Sequence, residues 1–164
     1  MVFSGTTAAS AVDLLEPKTN NNEENYAGNG TLGSFTFRDV RGIAALPQQS
    51  STCSGPNKLY FPSDAGGGVF RFLDGSLLKV NLTQGSDCID LAAQEAHCEL
   101  TFQIIGGTGR FKDASGVLTL TETVVPVVAD ASASHNPVFF AATGEFTGTV
   151  SGVGREADWR EEQQ

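Results

Sequence analysis

The sequence predicts an all-β protein built as an antiparallel barrel or sandwich. Three observations support this. The body of the chain alternates apolar and polar residues with the period of two that is typical of half-buried strands. No segment there shows the helical period, and the 19 glycines punctuate the alternating runs as turn residues do. Seven or eight short strands favour a barrel or a sandwich, and a closed barrel leaves no strand edge exposed.

The first clear strand is predicted within residues 31–40. Its alternation places Phe35, Phe37 and Asp39 on one face. An ionised carboxylate on an apolar face costs free energy unless it is paired. Asp39 is therefore a candidate functional side chain, and the alternative is a purely structural position.

Four more segments contain alternating runs. Residues 68–83 contain two extended runs joined by Asp74-Gly75, a dipeptide typical of a hairpin turn. Residues 98–105, 116–128 and 137–152 alternate in the same way. Glycines inside the last run fit bends at barrel corners.

The two ends of the chain differ from the body in composition. Residues 1–30 are polar and charged without regular apolar spacing, which predicts a flexible N-terminal segment, and residues 154–164 are predicted to be a polar tail. The barrel domain is then 31–153. The ends carry more than half of the net charge of −9, so the body is only mildly acidic and has no basic stripe. Nucleic acid is therefore not an expected partner.

No apolar run reaches the ~18 residues of a membrane helix, so no membrane span is predicted. No signal segment opens the chain. A secreted or periplasmic protein would therefore be present here in its mature form.

The stretch IIGGTGRFKDASG, residues 104–116, resembles a phosphate-binding loop at first sight. A dinucleotide fingerprint needs G-x-G-x-x-G, but Lys112 stands at the third glycine position, and a strand-like run follows where a helix is required. The segment is better interpreted as a turn between strands, with Arg110 and Phe111 over one barrel end.

Three cysteines leave one unpaired if a disulfide forms. Cys88 and Cys98 bracket a short segment and are the predicted pair, the alternative being that all three are reduced. A zinc site needs more ligands than His97 and Cys98 supply. No metal and no cofactor are predicted.

Glu122 is the main catalytic candidate. It shares a face with Leu118, Leu120 and Val124, where a buried carboxyl group can act as an acid or base. The alternative is that this face meets solvent or that Glu122 lies at the rim. The chain has no nucleophile motif that would point to another mechanism.

The runs GGGVFRFLDGSLLKVNL, IIGGTGRFKDASGVLTLTET and GEFTGTVSG together resemble the allene oxide cyclase-like superfamily, which includes dirigent proteins. The resemblance covers roughly 31–153 and is closest to small, uncharacterised bacterial members, many of them exported. It implies an eight-stranded, calycin-like antiparallel barrel that is often dimeric or trimeric, with an apolar cavity.

The resemblance also implies a hydrophobic small-molecule partner and, in one interpretation, a cofactor-free isomerase or cyclase. The other interpretation is a non-catalytic exported barrel that binds a ligand or another protein. The apolar faces of the strands supply the expected ligand-binding residues: Phe35, Phe37, Phe70, Phe72, Phe102, Leu118, Leu120 and Phe140.

Overall fold

The computed structural model describes residues 1–12, 14 and 20–154 and forms a closed eight-stranded barrel. The strands are β1 Val2–Ser10, β2 Asn20–Asn29, β3 Phe35–Ile43, β4 Lys58–Phe72, β5 Leu77–Asp90, β6 Glu95–Gly107, β7 Ser115–Ala129 and β8 Pro137–Ser151. Each strand pairs antiparallel with the next, and β1 pairs with β8 to close the sheet. The predicted all-β fold and eight-stranded antiparallel barrel are confirmed.

The prediction of a flexible N-terminal segment was wrong. Residues 1–30 contain β1 and β2, and β1 joins β2 to β8 with Val2 opposite Glu145. These strands escaped detection because several of their buried positions carry polar residues, among them Thr7 and Glu24. Of the predicted polar tail, residues 155–164 lie outside the described residues.

One half of the barrel interior is filled by aromatic rings, and we call it the aromatic half. The ring centroids of Phe37 and Phe70 lie 4.4 Å apart, and those of Phe70 and Phe146 lie 4.8 Å apart. Gly68 leaves room for this packing, because a Cβ at that position would lie 2.6 Å from the Phe37 ring. These rings are buried against one another in one hydrophobic cluster, so this half of the interior is a packed core.

The turn between β6 and β7 closes the aromatic half. It contains a short 3₁₀ helix, Gly109–Phe111, and Phe111 is fully buried against Phe72. The Arg110 guanidinium lies over the Phe72 ring at 4.9 Å and donates to the carbonyl of Leu32 at 2.6 Å. The predicted turn, with both side chains over a barrel end, is confirmed.

The structure contains a disulfide, but not the predicted one. Cys53 is bonded to Cys88, and Cys98 is a buried free thiol. Cys98 pairs in register with Asp87, whose side chain points inward, whereas Cys88 is the next residue along β5. Because successive side chains of a strand point to opposite faces, Cys88 and Cys98 lie on opposite sides of the barrel wall.

Within the described residues, no helix has the length and apolar character needed to cross a membrane.

Candidate functional site

A buried group of charged side chains lies beyond the aromatic half. Arg41, on β3, donates from Nε to Glu24 Oε1 at 2.6 Å and from Nη1 to Asp87 Oδ1 at 2.7 Å. Its Nη2 lies 3.6 Å from Glu122 Oε1. We call Glu24, Arg41, Asp87 and Glu122 the charge cluster. It joins β2, β3, β5 and β7, so only the closed barrel brings it together.

Glu122 is held from the opposite side by a tyrosine. Tyr26 Oη donates to Glu122 Oε2 at 2.6 Å, and Thr7 Oγ1 lies 3.1 Å from the same Tyr26 oxygen. Thr7, Tyr26 and Glu122 therefore form a continuous chain of hydrogen bonds. The expected inward orientation of Glu122 is confirmed, and its catalytic role stays a prediction.

The environment of Glu122 favours its neutral form. Burial, reinforced by the negative charge of Glu24, raises the pKa of Glu122 to about 8, although Arg41 and the Tyr26 hydrogen bond act in the opposite direction. At neutral pH the carboxyl group therefore retains its proton. A neutral buried acid of this kind is suited to donating a proton.

Asp39 is a fourth buried carboxyl group, next to the charge cluster. It pairs in register with Glu24 across β2 and β3. Burial first, and then the charge of Glu24, raises the pKa of Asp39 well above its ordinary value. Among the described residues, Glu24 Oε2 and both Asp39 oxygens lack a hydrogen-bond donor, so a proton on Asp39 supplies the donor that joins the two carboxyl groups.

A pocket of about 620 Å³ opens at the end of the barrel opposite the Phe111 turn, and we call it the end pocket. Thr7, Arg41, Asp87 and Cys98 line its inner, polar part. Its apolar wall residues are Ala9, Ile43, Phe61, Ile89, Ala96, Val124, Val138 and Phe140. Five more polar residues belong to the lining: Ser10, Asn20, Asn21, Asn22 and Asn136. A pocket that combines apolar walls with buried polar groups is the usual form of a small-molecule site.

The expected ligand-binding residues divide between the two halves of the barrel. Phe140 lines the end pocket. The other seven pack into the core and are at most 4% exposed: Phe35, Phe37, Phe70, Phe72, Phe102, Leu118 and Leu120. Their assignment to a cavity lining is corrected here, because the aromatic rings fill the space between them.

A second depression, also of about 620 Å³, lies on the outside of the barrel next to the disulfide, and we call it the outer depression. Exposed side chains such as Thr121, Thr143 and Glu145 line much of it. Cys98 and Glu122 also belong to its lining, but the Glu122 carboxyl group is turned into the barrel, where it meets Tyr26 and Arg41. The outer depression is therefore less suited to chemistry than the end pocket, which the buried side chains of Arg41 and Asp87 line. In the part of the chain that the structure describes, no three His, Cys, Asp or Glu side chains are arranged to hold a metal ion.

Sequence reasoning missed Glu24, Tyr26, Arg41 and Asp87. Arg41 was detectable, because it continues the inward alternation of Phe35, Phe37 and Asp39 by two residues.

No protein-family model, curated protein or solved structure matches the chain. The geometry of the end pocket therefore carries the functional argument.

Proposed function

We propose that the barrel binds a small, mainly apolar molecule in the end pocket. The observation that carries this proposal is one pocket that combines apolar walls with a buried polar floor, formed by Thr7, Arg41, Asp87 and Cys98. The resemblance to allene oxide cyclase-like and dirigent proteins supports the same class of ligand. The filled aromatic half limits the ligand to the open end of the barrel.

A cofactor-free isomerase or cyclase is the second candidate. The observation that favours it is the buried Glu122 carboxyl group, whose raised pKa keeps it neutral. A neutral Glu122 can donate its proton to Tyr26 Oη once the Tyr26 hydroxyl turns from Glu122 to donate to Thr7 Oγ1, and Thr7 then donates its own proton towards the end pocket. Arg41 then stabilises the carboxylate left behind. Return of a proton from another atom of the substrate restores Glu122 and completes an isomerisation without a cofactor.

The location and the assembly of the protein are also proposals. The Cys53–Cys88 disulfide is compatible with an oxidising compartment, which supports a secreted or periplasmic protein. The superfamily resemblance supports a homodimer or homotrimer.

Native mass spectrometry of freshly purified protein, followed by extraction and identification of any retained molecule, tests the binding proposal. Ala9 lines the end pocket, and Ala9→Phe places a ring in its mouth. Ala27→Phe is the matched control, since Ala27 is exposed on β2 and does not line the pocket. We expect a retained small molecule in the wild type and in Ala27→Phe but not in Ala9→Phe. Retention that survives Ala9→Phe would contradict the proposed location.

The extracted molecule also tests catalysis. We expect the wild type to convert it, or a close analogue, into a product of the same mass and a different chromatographic retention time. Glu122→Gln should slow this conversion by about 10²-fold or more, the usual contribution of a general acid. Equal rates in the two proteins would exclude Glu122 as the acid, and no conversion by the wild type would leave binding as the function.

A further inference from the structure

We infer that the end pocket selects ligands whose polar group donates hydrogen bonds, and that it favours an apolar amine over a carboxylic acid of the same shape. This inference rests on the proposed binding function and specifies its ligand class. It follows from which hydrogen-bond donors and acceptors near the pocket already have partners inside the protein, and which can still bind a ligand.

The N–H donors of Arg41 face partners inside the protein. Nε donates to Glu24, and Nη1 donates to Asp87 and to Ser63 Oγ, the latter at 3.3 Å. Nη2 faces Cys98 Sγ at 3.9 Å and Glu122 Oε1 at 3.6 Å. A guanidinium group has five N–H donors, and the Arg41 side chain is only 2% exposed. It therefore has little to offer an anionic ligand.

Acceptor capacity remains at Asp87. Arg41 Nη1 occupies Oδ1 at 2.7 Å, and the nearby Cys98 thiol is a weak donor. The Asp87 side chain is 8% exposed, whereas those of Glu24 and Glu122 are fully buried. Of the cluster's carboxyl groups, Asp87 alone lines the end pocket. A carboxylate accepts about four hydrogen bonds, so Asp87 can receive more from a ligand.

Carboxyl groups outnumber cations among the buried side chains in and directly behind the floor. Four buried carboxyl groups, Glu24, Asp39, Asp87 and Glu122, face one buried guanidinium group among the described residues. If Asp39 and Glu122 are both neutral, Glu24 and Asp87 still exceed Arg41 by one negative charge. A ligand cation is therefore attracted and a ligand anion repelled.

A matched series with one compact apolar body tests this inference: adamantylmethylamine, adamantylmethanol and adamantanecarboxylate. Isothermal titration calorimetry of the full chain at neutral pH should show the amine binding about ten-fold or more tightly than the carboxylate, with the alcohol between them. Equal or tighter binding of the carboxylate would overturn the inference and leave the pocket intact. Binding of none of the three would contradict the proposed function itself.

Two variants assign the preference to Asp87. Asp87→Asn should reduce the ratio of the amine and carboxylate affinities to about two-fold or less, while Asp64→Asn, on an exposed position of β4, keeps the wild-type ratio. The ligand series on the wild type needs no variant to fold. An unchanged ratio in folded Asp87→Asn would overturn the role of this charge.

Discussion

Tyr26 and Glu122 are separated by 96 residues in the chain, yet Tyr26 Oη donates a 2.6 Å hydrogen bond to Glu122 Oε2 inside the barrel. The two residues lie on β2 and β7, which are not neighbours in the sheet. Their contact therefore crosses the interior and ties opposite walls together. The floor of the end pocket is thus a product of barrel closure.

Glu122→Gln should make stability less dependent on pH. The pKa of Glu122 rises from 4.5 to about 8 in the folded protein, so folding retains a proton that the unfolded chain releases. Stability from this group is complete below about pH 4.5 and is lost as the pH rises through about 8. Urea unfolding between pH 5 and pH 9 should show a decline of up to about 1.4 kcal/mol per pH unit from this one group.

Glutamine cannot ionise, so the variant should lose that part of the decline. Asp39 contributes in the same direction and should leave some slope, because its pKa is also raised. The matched control is Glu145→Gln, which removes an exposed carboxylate from β8 and should keep the wild-type slope. Parallel curves for the wild type and Glu122→Gln would show that Glu122 is already ionised in the folded state.

Arg41→Met should strongly destabilise the protein. It leaves Glu24 and Asp87 without their cation inside the barrel, and breaking a buried ion pair in this way costs about 3–5 kcal/mol. Urea unfolding at pH 7 measures the loss. Arg38→Met, at an exposed position of the same strand, should change stability by about 0.5 kcal/mol or less. Similar losses in both variants would contradict the structural role of the cluster.

Peptide mapping without reduction should find Cys53 linked to Cys88. Cleavage after Glu95 is needed, since it separates Cys88 from Cys98. Alkylation of the unfolded, unreduced protein should modify Cys98 alone, because that thiol is free but buried in the folded state. A peptide that links Cys98 to Cys88 would restore the pairing expected from the sequence, and one that links Cys98 to Cys53 would contradict both pairings.

Removal of the disulfide should lower the free energy of unfolding, because the unfolded chain gains conformational entropy without the link. Cys53→Ser opens a link across 35 residues, and such links typically contribute about 2–4 kcal/mol. Cys98→Ser is the matched control, because it removes the third cysteine and leaves the link in place. An equal loss in the two variants would argue against stabilisation by the disulfide.

Hydrogen exchange should reveal protected amides in β1 and β2. Their backbone groups pair with β8 and β3 as well as with each other, so exchange should require opening of the barrel. The exposed residues 131–136 between β7 and β8 are the internal reference and should exchange sooner. Exchange of residues 2–10 within seconds would instead match the flexible segment predicted from composition.

Alternation revealed the strands whose interior positions are apolar. Phe35 and Phe37 in β3, and Leu118 and Leu120 in β7, face the filled aromatic half, so burial and hydrophobicity coincide there. The turn with Arg110 and Phe111 was also predictable, since glycines and strand-like flanks indicate a connection. These features depend on local sequence.

The polar layer was not predictable in the same way. Buried positions in β1 and β2 carry Thr7, Glu24 and Tyr26, which give no hydrophobic alternation. Their partners Arg41 and Glu122 lie far along the chain, and only the strand register brings them together. The cysteine pairing failed for the same reason, because the register decides which faces Cys88 and Cys98 occupy.

The central claim is that the end pocket above the charge cluster is the ligand site, and chemical-shift mapping tests it most directly. Amide spectra of the wild type titrated with adamantylmethylamine should change most at Thr7, Ala9, Ile43, Ala96 and Val124, which line the pocket. Changes concentrated at Thr52, Thr121 and Thr143 would place the ligand in the outer depression and contradict the account. An unchanged spectrum at saturating amine would contradict it equally.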